Sequence, residues 1–168
     1  MGNMIEKDSV YVMIDAPRLI DQFCFDNNIN LNVDEQSKAV QKAGESKVLV
    51  VEDSRFFRNH IKSMLEGSGY NVITAENGED ALDKLSEFGK DVCLVVSDIE
   101  MPKMDGYGLA QHISSSQEFS NIPMIAVTTR FRQSDIERGL NLGFRKYLEK
   151  LNEDQLLNTI KEILMEAS

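Results

Sequence analysis

Acidic, hydroxyl and amine side chains stand at the ends of several strand-like runs in this sequence. Glu52 and Asp53 directly follow the apolar run KVLVV, and Asp98 directly follows VCLVVS. Thr128 stands near the end of the run IPMIAVTT, and Lys150 ends the segment FRKYLEK. In an open parallel sheet, ligand sites form outside the carboxyl ends of the strands. If these runs are strands of one such sheet, the five side chains meet at one site.

Three carboxylates at one site repel each other, and a hard cation removes that repulsion. Mg²⁺ prefers oxygen ligands, takes one or two carboxylates, and keeps waters or phosphate oxygens in its other positions. A carboxylate beside such an ion can attack phosphorus and become an aspartyl phosphate. In that chemistry the Lys150 ammonium pairs with one phosphoryl oxygen, and the Thr128 hydroxyl donates a hydrogen bond to another. The residue types therefore indicate phosphoryl transfer.

Strand and helix signals alternate from Lys47 to the end of the chain. Short Val- and Ile-rich runs predict strands, and apolar residues at helical spacing predict the segments between them as helices. The predicted strands cover 47–51, 70–75, 92–97, 122–129 and 144–150, and the predicted helices cover 55–67, 77–89, 105–115, 132–143 and 152–167. Five such pairs predict an α/β domain, a doubly wound parallel sheet with helices on both faces. The first, third and fourth strands lack polar alternation, which indicates burial on both sides.

Composition and charge exclude several classes of function. The formal net charge of the 168 residues is −10, which argues against nucleic-acid binding and against an anionic membrane surface. No apolar stretch reaches the roughly 18 residues of a membrane helix, so no membrane insertion is expected. The N-terminus lacks a signal-peptide pattern, and Cys24 and Cys93 lack metal-ligand spacing. These features favour a cytoplasmic location.

Four segments together resemble the response-regulator receiver domain, the CheY-like family. They are VVEDS at 50–54, SDIEMPKMDG at 97–106, IPMIAVTT at 122–129 and YLEK at 147–150. Their order and spacing match the family over about 120 residues, which is far more specific than any single motif. The resemblance implies a flavodoxin-like five-stranded sheet with strand order 2-1-3-4-5. It also implies a place in two-component signalling or in a phosphorelay.

The resemblance assigns roles to the residues at the strand ends. It implies that Asp98 is the phosphoacceptor and that Lys150 pairs with the phosphoryl group. Glu52 and Asp53 correspond to the acidic pair that binds Mg²⁺ together with Asp98. The backbone carbonyl of Glu100 corresponds to a further metal ligand.

The resemblance also implies a switch and a gate. Thr128 and Tyr147 correspond to the switch hydroxyl and the switch aromatic. Glu100 and Arg130 each lie two residues beyond a site residue, at positions that flank the path of the water that hydrolyses the phosphoryl group. Their charges are opposite, so we expect them to pair loosely across the site and to help set the lifetime of the phosphorylated state.

The sequence departs from the family pattern close to the expected site. Leu151 follows the lysine where the family usually has Pro. The peptide bond before that Pro is commonly cis in the family, whereas a cis bond before a residue other than Pro costs about 2.5–4 kcal/mol. Thr129 is larger than the residue that usually follows the switch hydroxyl. The segment TTRFRQS, 128–134, is more basic than most of its counterparts. We therefore expect a reshaped loop after Lys150 and narrower access to the acid.

The first 46 residues differ from the rest. The segment SVYVMIDAPRLIDQF, 9–23, is similar to the last strand and helix of the coupling-protein-like domain of chemotaxis kinases and scaffolds. We expect a strand–helix arm over 1–26, a remnant of such a domain, then a polar linker over 27–46 and the receiver domain over 47–168. This implies the C-terminal receiver of a chemotaxis hybrid histidine kinase, or of a coupling-protein–receiver fusion, in a chemotaxis signalling array.

The leading functional interpretation is a receiver with self-catalysed phosphorylation and slow autodephosphorylation. It takes a phosphoryl group from a histidine kinase or phosphotransfer protein onto Asp98. The sequence ends at Ser168 without an output domain, so we expect output by protein contact or a phosphate sink. One alternative is a haloacid-dehalogenase-like phosphatase, which Asp98-Ile99-Glu100 faintly resembles. Another is a receiver-shaped interaction module that is never phosphorylated.

Overall fold

The strands and helices alternate along the chain, as the sequence predicts. The structure is a computed structural model and describes residues 46–129, 132–150 and 152–166, all of which belong to one unit. The strands are β1 (Lys47–Val51), β2 (Asn71–Ala75), β3 (Val92–Ser97), β4 (Met124–Thr128) and β5 (Phe144–Glu149). The helices are α1 (Arg55–Gly67), α2 (Gly78–Phe88), α3 (Gly106–Ser115), α4 (Gln133–Asn141) and α5 (Glu153–Glu166). Most predicted boundaries lie within one or two residues of these.

The five strands form one sheet in the order β2-β1-β3-β4-β5, and all neighbouring strands are parallel. This is the doubly wound, flavodoxin-like fold with strand order 2-1-3-4-5, and that prediction is confirmed. The register pairs Val51 with Ser97, Ser97 with Ala126, and Thr128 with Glu149. Residues that follow these positions therefore leave the sheet at the same edge.

Side chains alternate between two cores, one on each face of the sheet. Val48, Val50, Val96 and neighbouring strand residues pack against α1 and α5, and this core includes Ile61, Leu65, Leu156, Ile160 and Ile163. Leu49, Val51 and Val95 point to the opposite face, where the core includes Ala81, Leu85, Leu109, Ala110 and Ile113 of α2 and α3. β1, β3 and β4 are almost wholly buried, which confirms the interpretation drawn from their lack of polar alternation.

Glycine is required where the loop after β3 returns to the sheet. The Gly106 N–H donates to the Ile99 carbonyl at 2.9 Å, and a Cβ at Gly106 would collide with the Asp98 carbonyl oxygen and with Ile99 Cα. Lys103, in the same loop, has a left-handed φ of 64°. Asp105 then caps α3, because its side chain accepts a 2.7 Å hydrogen bond from the Gly108 N–H. The start of α3 is thereby fixed directly against the backbone of Asp98.

Several sequence-based expectations lie outside the described residues. They concern the arm at 1–26, nearly all of the linker at 27–46, Cys24, Arg130 and Leu151. Within the described part of the chain, no helix is long and apolar enough to span a bilayer.

Candidate functional site

Asp98 is the first residue after β3, and each of its carboxylate oxygens has a hydrogen-bond or ion-pair partner. Its backbone N–H donates to the Val51 carbonyl at 2.8 Å, which fixes the residue to the end of β1. Oδ1 accepts a 2.7 Å hydrogen bond from the Ile99 N–H, and Oδ2 lies 2.8 Å from Lys150 Nζ. The side chain is only 5% exposed. The carboxylate therefore has one defined orientation at the edge of the sheet.

Lys150 bridges two carboxylates at this edge. Besides Asp98, its Nζ lies 2.9 Å from Glu52 Oε2 and 3.1 Å from Oε1. Its backbone N–H donates to the Thr128 carbonyl at 3.1 Å, and its ammonium lies 4.9 Å from the centroid of the Phe57 ring. Burial favours the neutral amine, but the hydrogen bonds to Asp98 and Glu52 outweigh it, so the pKa of Lys150 lies above its ordinary value.

Glu52 and Asp53 differ in their exposure although they are adjacent. The Glu52 side chain is 1% exposed and accepts a 3.2 Å hydrogen bond from the Ser54 N–H, whereas Asp53 is exposed. Burial raises the pKa of Glu52, and the nearby Asp98 charge raises it further, although Lys150 opposes both effects. The sequence treats the two acids as an equivalent pair, but the fold buries the Glu52 carboxylate and leaves the Asp53 carboxylate exposed to solvent.

The three acids form a cluster with the dimensions of a cation site. Glu52, Asp53 and Asp98 each offer a carboxylate oxygen, and these atoms all lie within 4.8 Å of one another. The donors are all hard oxygens, which Mg²⁺ prefers, and the exposed Asp53 leaves one side open to water. The residues present therefore fit a magnesium ion.

Thr128 and Tyr147 are both buried beside the site. Thr128 ends β4, is fully buried, and pairs with Glu149 in the register of the sheet. Tyr147 is 8% exposed, and its hydroxyl lies 3.2 Å from the hydroxyl of Tyr107. Burial and this hydrogen bond raise the pKa of Tyr147 well above its ordinary value.

Of the two proposed gate residues, Glu100 lies within the described part of the chain and Arg130 does not. Glu100 is exposed and lines a groove of about 340 Å³ with Asp53, Met101, Asp105 and Arg138, among others. Arg130 is outside the described residues. On this side of the site, Arg138 of α4 lines the same groove as Glu100.

Two residues that support the site are absent from the sequence-based set. Arg58 of α1 donates to the carbonyls of Glu52 at 2.6 Å and Asp53 at 3.1 Å, and it forms a 2.8 Å ion pair with Glu76. Tyr107 of α3 contacts Tyr147. Arg58 stands one turn into a predicted helix, just after the acidic pair, and that proximity is the only signal that the sequence offers. Nothing in the spacing of Tyr107 and Tyr147 indicates their contact.

Comparison with known proteins agrees with this arrangement. The family model described as "Response regulator receiver domain" matches residues 48–161. The chain belongs to this receiver family. Phosphate acceptance is typical of receiver domains, and they interact with kinases or phosphotransfer partners. The match sets aside the haloacid-dehalogenase alternative, because Asp98 follows the third strand of a receiver sheet.

Several curated proteins that are similar in sequence to this receiver domain are chemotaxis proteins. The chain is 34% identical over 130 residues to the sensor histidine kinase CheAY of Helicobacter pylori, covering 77% of this chain and 16% of that protein. It is 29% identical over 168 residues to the H. pylori chemotaxis protein CheV3, covering 95% and 53%. PilH of Pseudomonas aeruginosa is 36% identical over 120 residues, covering 71% and 98%. The chain thus spans only a part of the first two relatives.

Solved structures show the same fold. The Vibrio cholerae chemotaxis protein CheY4 superposes with a TM-score of 0.66 at 28% identity, covering 70% of this chain and 98% of that chain. A CheX–CheY–BeF₃–Mg²⁺ complex from Borrelia burgdorferi gives a TM-score of 0.66 at 27% identity, covering 70% and 88%. The fold of this receiver domain is therefore shared with chemotaxis proteins over most of their length.

Proposed function

We propose that this receiver domain accepts a phosphoryl group on Asp98 from the phosphohistidine of a histidine kinase or phosphotransfer protein. The observation that carries the proposal is the position of Asp98. Its carboxylate is oriented by the Ile99 N–H and by Lys150, and it stands within 4.8 Å of the carboxylate oxygens of Glu52 and Asp53. This constellation places a nucleophile, a cation and two metal-ligating acids at one edge of the sheet.

The reaction is a displacement at phosphorus. A lone pair of an Asp98 carboxylate oxygen forms the new P–O bond, the P–N bond of the phosphohistidine breaks, and its electron pair stays on the imidazole nitrogen. Lys150 already lies 2.8 Å from Asp98 Oδ2, so its ammonium can pair with an oxygen of the phosphoryl group that arrives there. The Thr128 hydroxyl donates a hydrogen bond to the same phosphoryl group. Thr128 and Tyr147 together form the switch.

The metal belongs to the same proposal. Glu52, Asp53, Asp98 and the backbone carbonyl of Glu100 would hold Mg²⁺, which neutralises charge on phosphoryl oxygens when it is bound. The solved CheX–CheY complex from Borrelia burgdorferi includes BeF₃ and Mg²⁺, which supports the choice of ion. Glu52 is also paired with Lys150, whose ammonium contacts both oxygens of that side chain.

Hydrolysis returns the domain to its starting state. Water attacks phosphorus, the P–O bond to Asp98 breaks, and inorganic phosphate leaves. Glu100 and Arg130 form the gate in this proposal. An exposed ion pair contributes only about 0–1 kcal/mol, but about 1.4 kcal/mol changes a rate tenfold, so even a loose pair affects the lifetime measurably.

The signalling context is chemotaxis. The match to CheV3 covers 95% of this chain and therefore includes most of residues 1–45. This supports a chemotaxis origin for the segment ahead of the receiver at 47–168, in which we propose a strand–helix arm over 1–26 and a linker over 27–46. A protein contact or the removal of phosphate from the kinase would be the output. Either a hybrid kinase or a coupling-protein fusion would supply the rest of the protein.

Phosphorylation by a small donor tests the proposal. The purified chain is incubated with acetyl phosphate and Mg²⁺, and phosphoprotein is followed by intact mass. We expect the parent to gain one phosphoryl group and Asp98→Asn to gain none, because the amide keeps the shape of the side chain but loses its nucleophilic charge. Asp53→Ala should require more Mg²⁺, and Asp91→Ala, which removes an exposed acid far from the cluster, should behave as the parent. A parent that never becomes phosphorylated would instead favour the non-phosphorylated interaction module.

A further inference from the structure

Tyr107, the second residue of α3, contacts α4 and β5 at once. The residue is 4% exposed. Its hydroxyl lies 3.2 Å from the Tyr147 hydroxyl on β5 and 3.2 Å from the Asp135 carbonyl oxygen on α4. The guanidinium carbon of Arg138, also on α4, lies 4.1 Å from the centroid of the Tyr107 ring, within the range of a cation–π interaction. One side chain therefore joins three elements around the switch aromatic.

The hydrogen bonds at Tyr107 have a defined direction. A phenol carries a single proton, and the Tyr107 hydroxyl donates that proton to the Asp135 carbonyl, which can only accept. The Tyr147 hydroxyl must then be the donor in the bond between the two phenols. A chain of two hydrogen bonds thus runs from Tyr147 through Tyr107 to the backbone of α4, and it requires the Tyr107 oxygen.

Tyr107 is also tied to the segment that carries Asp98. It directly follows Gly106, whose N–H donates to the Ile99 carbonyl at 2.9 Å and whose Cα packs against the Asp98 carbonyl so closely that a Cβ has no room. A displacement of the Asp98–Ile99 backbone therefore moves Gly106, and Tyr107 with it. Close packing of this kind transmits small shifts, because a packed contact cannot deform gradually.

We infer that Tyr107 is a positioning residue that couples the backbone of Asp98 to Tyr147 and to α4. The inference rests on the proposed phosphorylation of Asp98 and adds a path by which it reaches the switch aromatic. The hydroxyl of Tyr107, and not its ring alone, carries the coupling, because the hydroxyl is hydrogen-bonded both to Tyr147 on β5 and to the Asp135 carbonyl on α4. The ring provides packing and the contact with Arg138.

The cluster also contains a second acceptor. Among the described residues, Asp135 Oδ2 is a buried side-chain oxygen that has no hydrogen-bond partner. Its charge acts on Tyr147, since it contributes to the raised pKa of that phenol. This oxygen belongs to the same residue whose backbone carbonyl accepts the Tyr107 proton, so the cluster holds an acceptor that its present hydrogen bonds do not use.

Arg138, the charged residue that contacts the Tyr107 ring, lies beside the acidic site. Tyr107 and Arg138 line the same groove as Asp53 and Glu100. Arg138 takes no part in the hydrogen-bond chain that links Tyr147, Tyr107 and the Asp135 carbonyl. Substitution of Arg138 therefore removes a charge at the groove and leaves the hydroxyl chain intact, which provides a matched control.

The test uses the full chain labelled at the ring Cζ of tyrosine, whose NMR signals report both environment and ionisation. The variants are Tyr107→Phe, which removes only the hydroxyl, and Arg138→Met, which removes only the cation. Urea unfolding of each variant shows whether the fold is retained. Each protein is first titrated with base and then, at neutral pH, with beryllofluoride and Mg²⁺ as a stable mimic of the phosphoryl group.

We expect the Tyr147 signal of Tyr107→Phe to titrate at lower pH than in the parent, because its hydrogen-bond acceptor is gone. Beryllofluoride should still bind at Asp98, but the change it causes at Tyr147 should fall at least about twofold, as loss of a coupling contact requires. In Arg138→Met, beryllofluoride should change the Tyr147 signal by as much as it does in the parent. If the parent responds and Tyr107→Phe responds equally, the inference is wrong. A parent that does not bind beryllofluoride would instead overturn the proposed function.

Discussion

At the scale of single residues, the site is an ion-paired cluster in which the Lys150 ammonium offsets the repulsion between two acids. The sequence predicts that three crowded carboxylates need a cation, and the structure shows the Lys150 ammonium between Asp98 and Glu52, at 2.8 and 2.9 Å. All three side chains are less than a tenth exposed. Solvent therefore screens their interaction weakly, and the loss of the ammonium would leave two buried acids without compensation.

Lys150→Gln should accordingly lower the free energy of unfolding by about 3 kcal/mol in metal-free buffer. Lys47→Gln is the matched control, because its ion pair with Asp91 is partly exposed and should contribute less than about 1 kcal/mol. Urea unfolding at neutral pH measures both. Equal losses for the two variants would show that the bridge of Lys150 has no special role in stability.

Tyr147 should make the fold sensitive to alkali. Burial raises its pKa in the folded state above the unfolded value of about 10, so the folded protein keeps a proton that the unfolded chain releases. Below pH about 10, the protonated Tyr147 makes its full contribution to the free energy of unfolding. Above pH about 10, the free energy of unfolding falls by up to about 1.4 kcal/mol per pH unit. Urea unfolding across this range should give a flatter pH dependence for Tyr147→Phe. Parallel curves for variant and parent would contradict the raised pKa.

At the scale of elements, the loop between β3 and α3 positions the acid. Gly106 allows α3 to begin against the Asp98 carbonyl, whereas Gly108, one residue after Tyr107, has only the side chains of Met104 and Asp105 near its Cβ position. The two glycines of the DGYG segment therefore have different reasons to be present. The first is required by a backbone contact, and the second is a helix residue that weakens α3.

Gly106→Ala should cost about 1–3 kcal/mol of stability, because backbone atoms must move to admit the methyl group. It should also slow phosphorylation, since the atoms that move include those of Asp98. Gly108→Ala should remain within about 1 kcal/mol of the parent, because improved helix propensity offsets a tight contact with a flexible side chain. Urea unfolding and phosphorylation rates with acetyl phosphate measure the pair. A Gly106→Ala variant as stable and as active as Gly108→Ala would refute this view of the loop.

Much of this element-scale organisation follows from sequence. Apolar runs and helical spacing predict the strands and helices closely, because nearly every buried position repeats with the period of its element. The position of Asp98 after a strand without polar alternation predicts its place at the edge of the sheet. The contact of Tyr107 with Tyr147 is not predictable in this way, since it depends on side chains from two elements 40 residues apart. The difference between buried Glu52 and exposed Asp53 likewise appears only once the helix after β1 is placed.

At the scale of the whole molecule, the receiver domain is one part of a larger signalling chain in our proposal. The matches to CheAY and CheV3 cover only 16% and 53% of those proteins. The polar composition of residues 27–46 is typical of a linker, which predicts where the chain can be cut without loss of the receiver fold.

Limited trypsin digestion should therefore cleave first after Lys38 and Lys42, within the proposed linker. Lys161 is the internal control, because it is exposed but lies within α5. The fragment that remains should still accept phosphate from acetyl phosphate at about the rate of the intact chain. Cleavage after Lys161 that is as fast as cleavage after Lys38 would contradict the proposed boundary.

The central claim is that Asp98 carries the phosphoryl group, and chemical mapping of that group tests it most directly. An aspartyl phosphate is reduced by borohydride, which converts the modified aspartate to homoserine. After phosphorylation with acetyl phosphate and Mg²⁺, reduction and peptide mass spectrometry, we expect homoserine at position 98 and an unmodified Asp53 and Asp105. Homoserine at another acid, or a stable phosphate on a hydroxyl or imidazole with position 98 unchanged, would contradict the account.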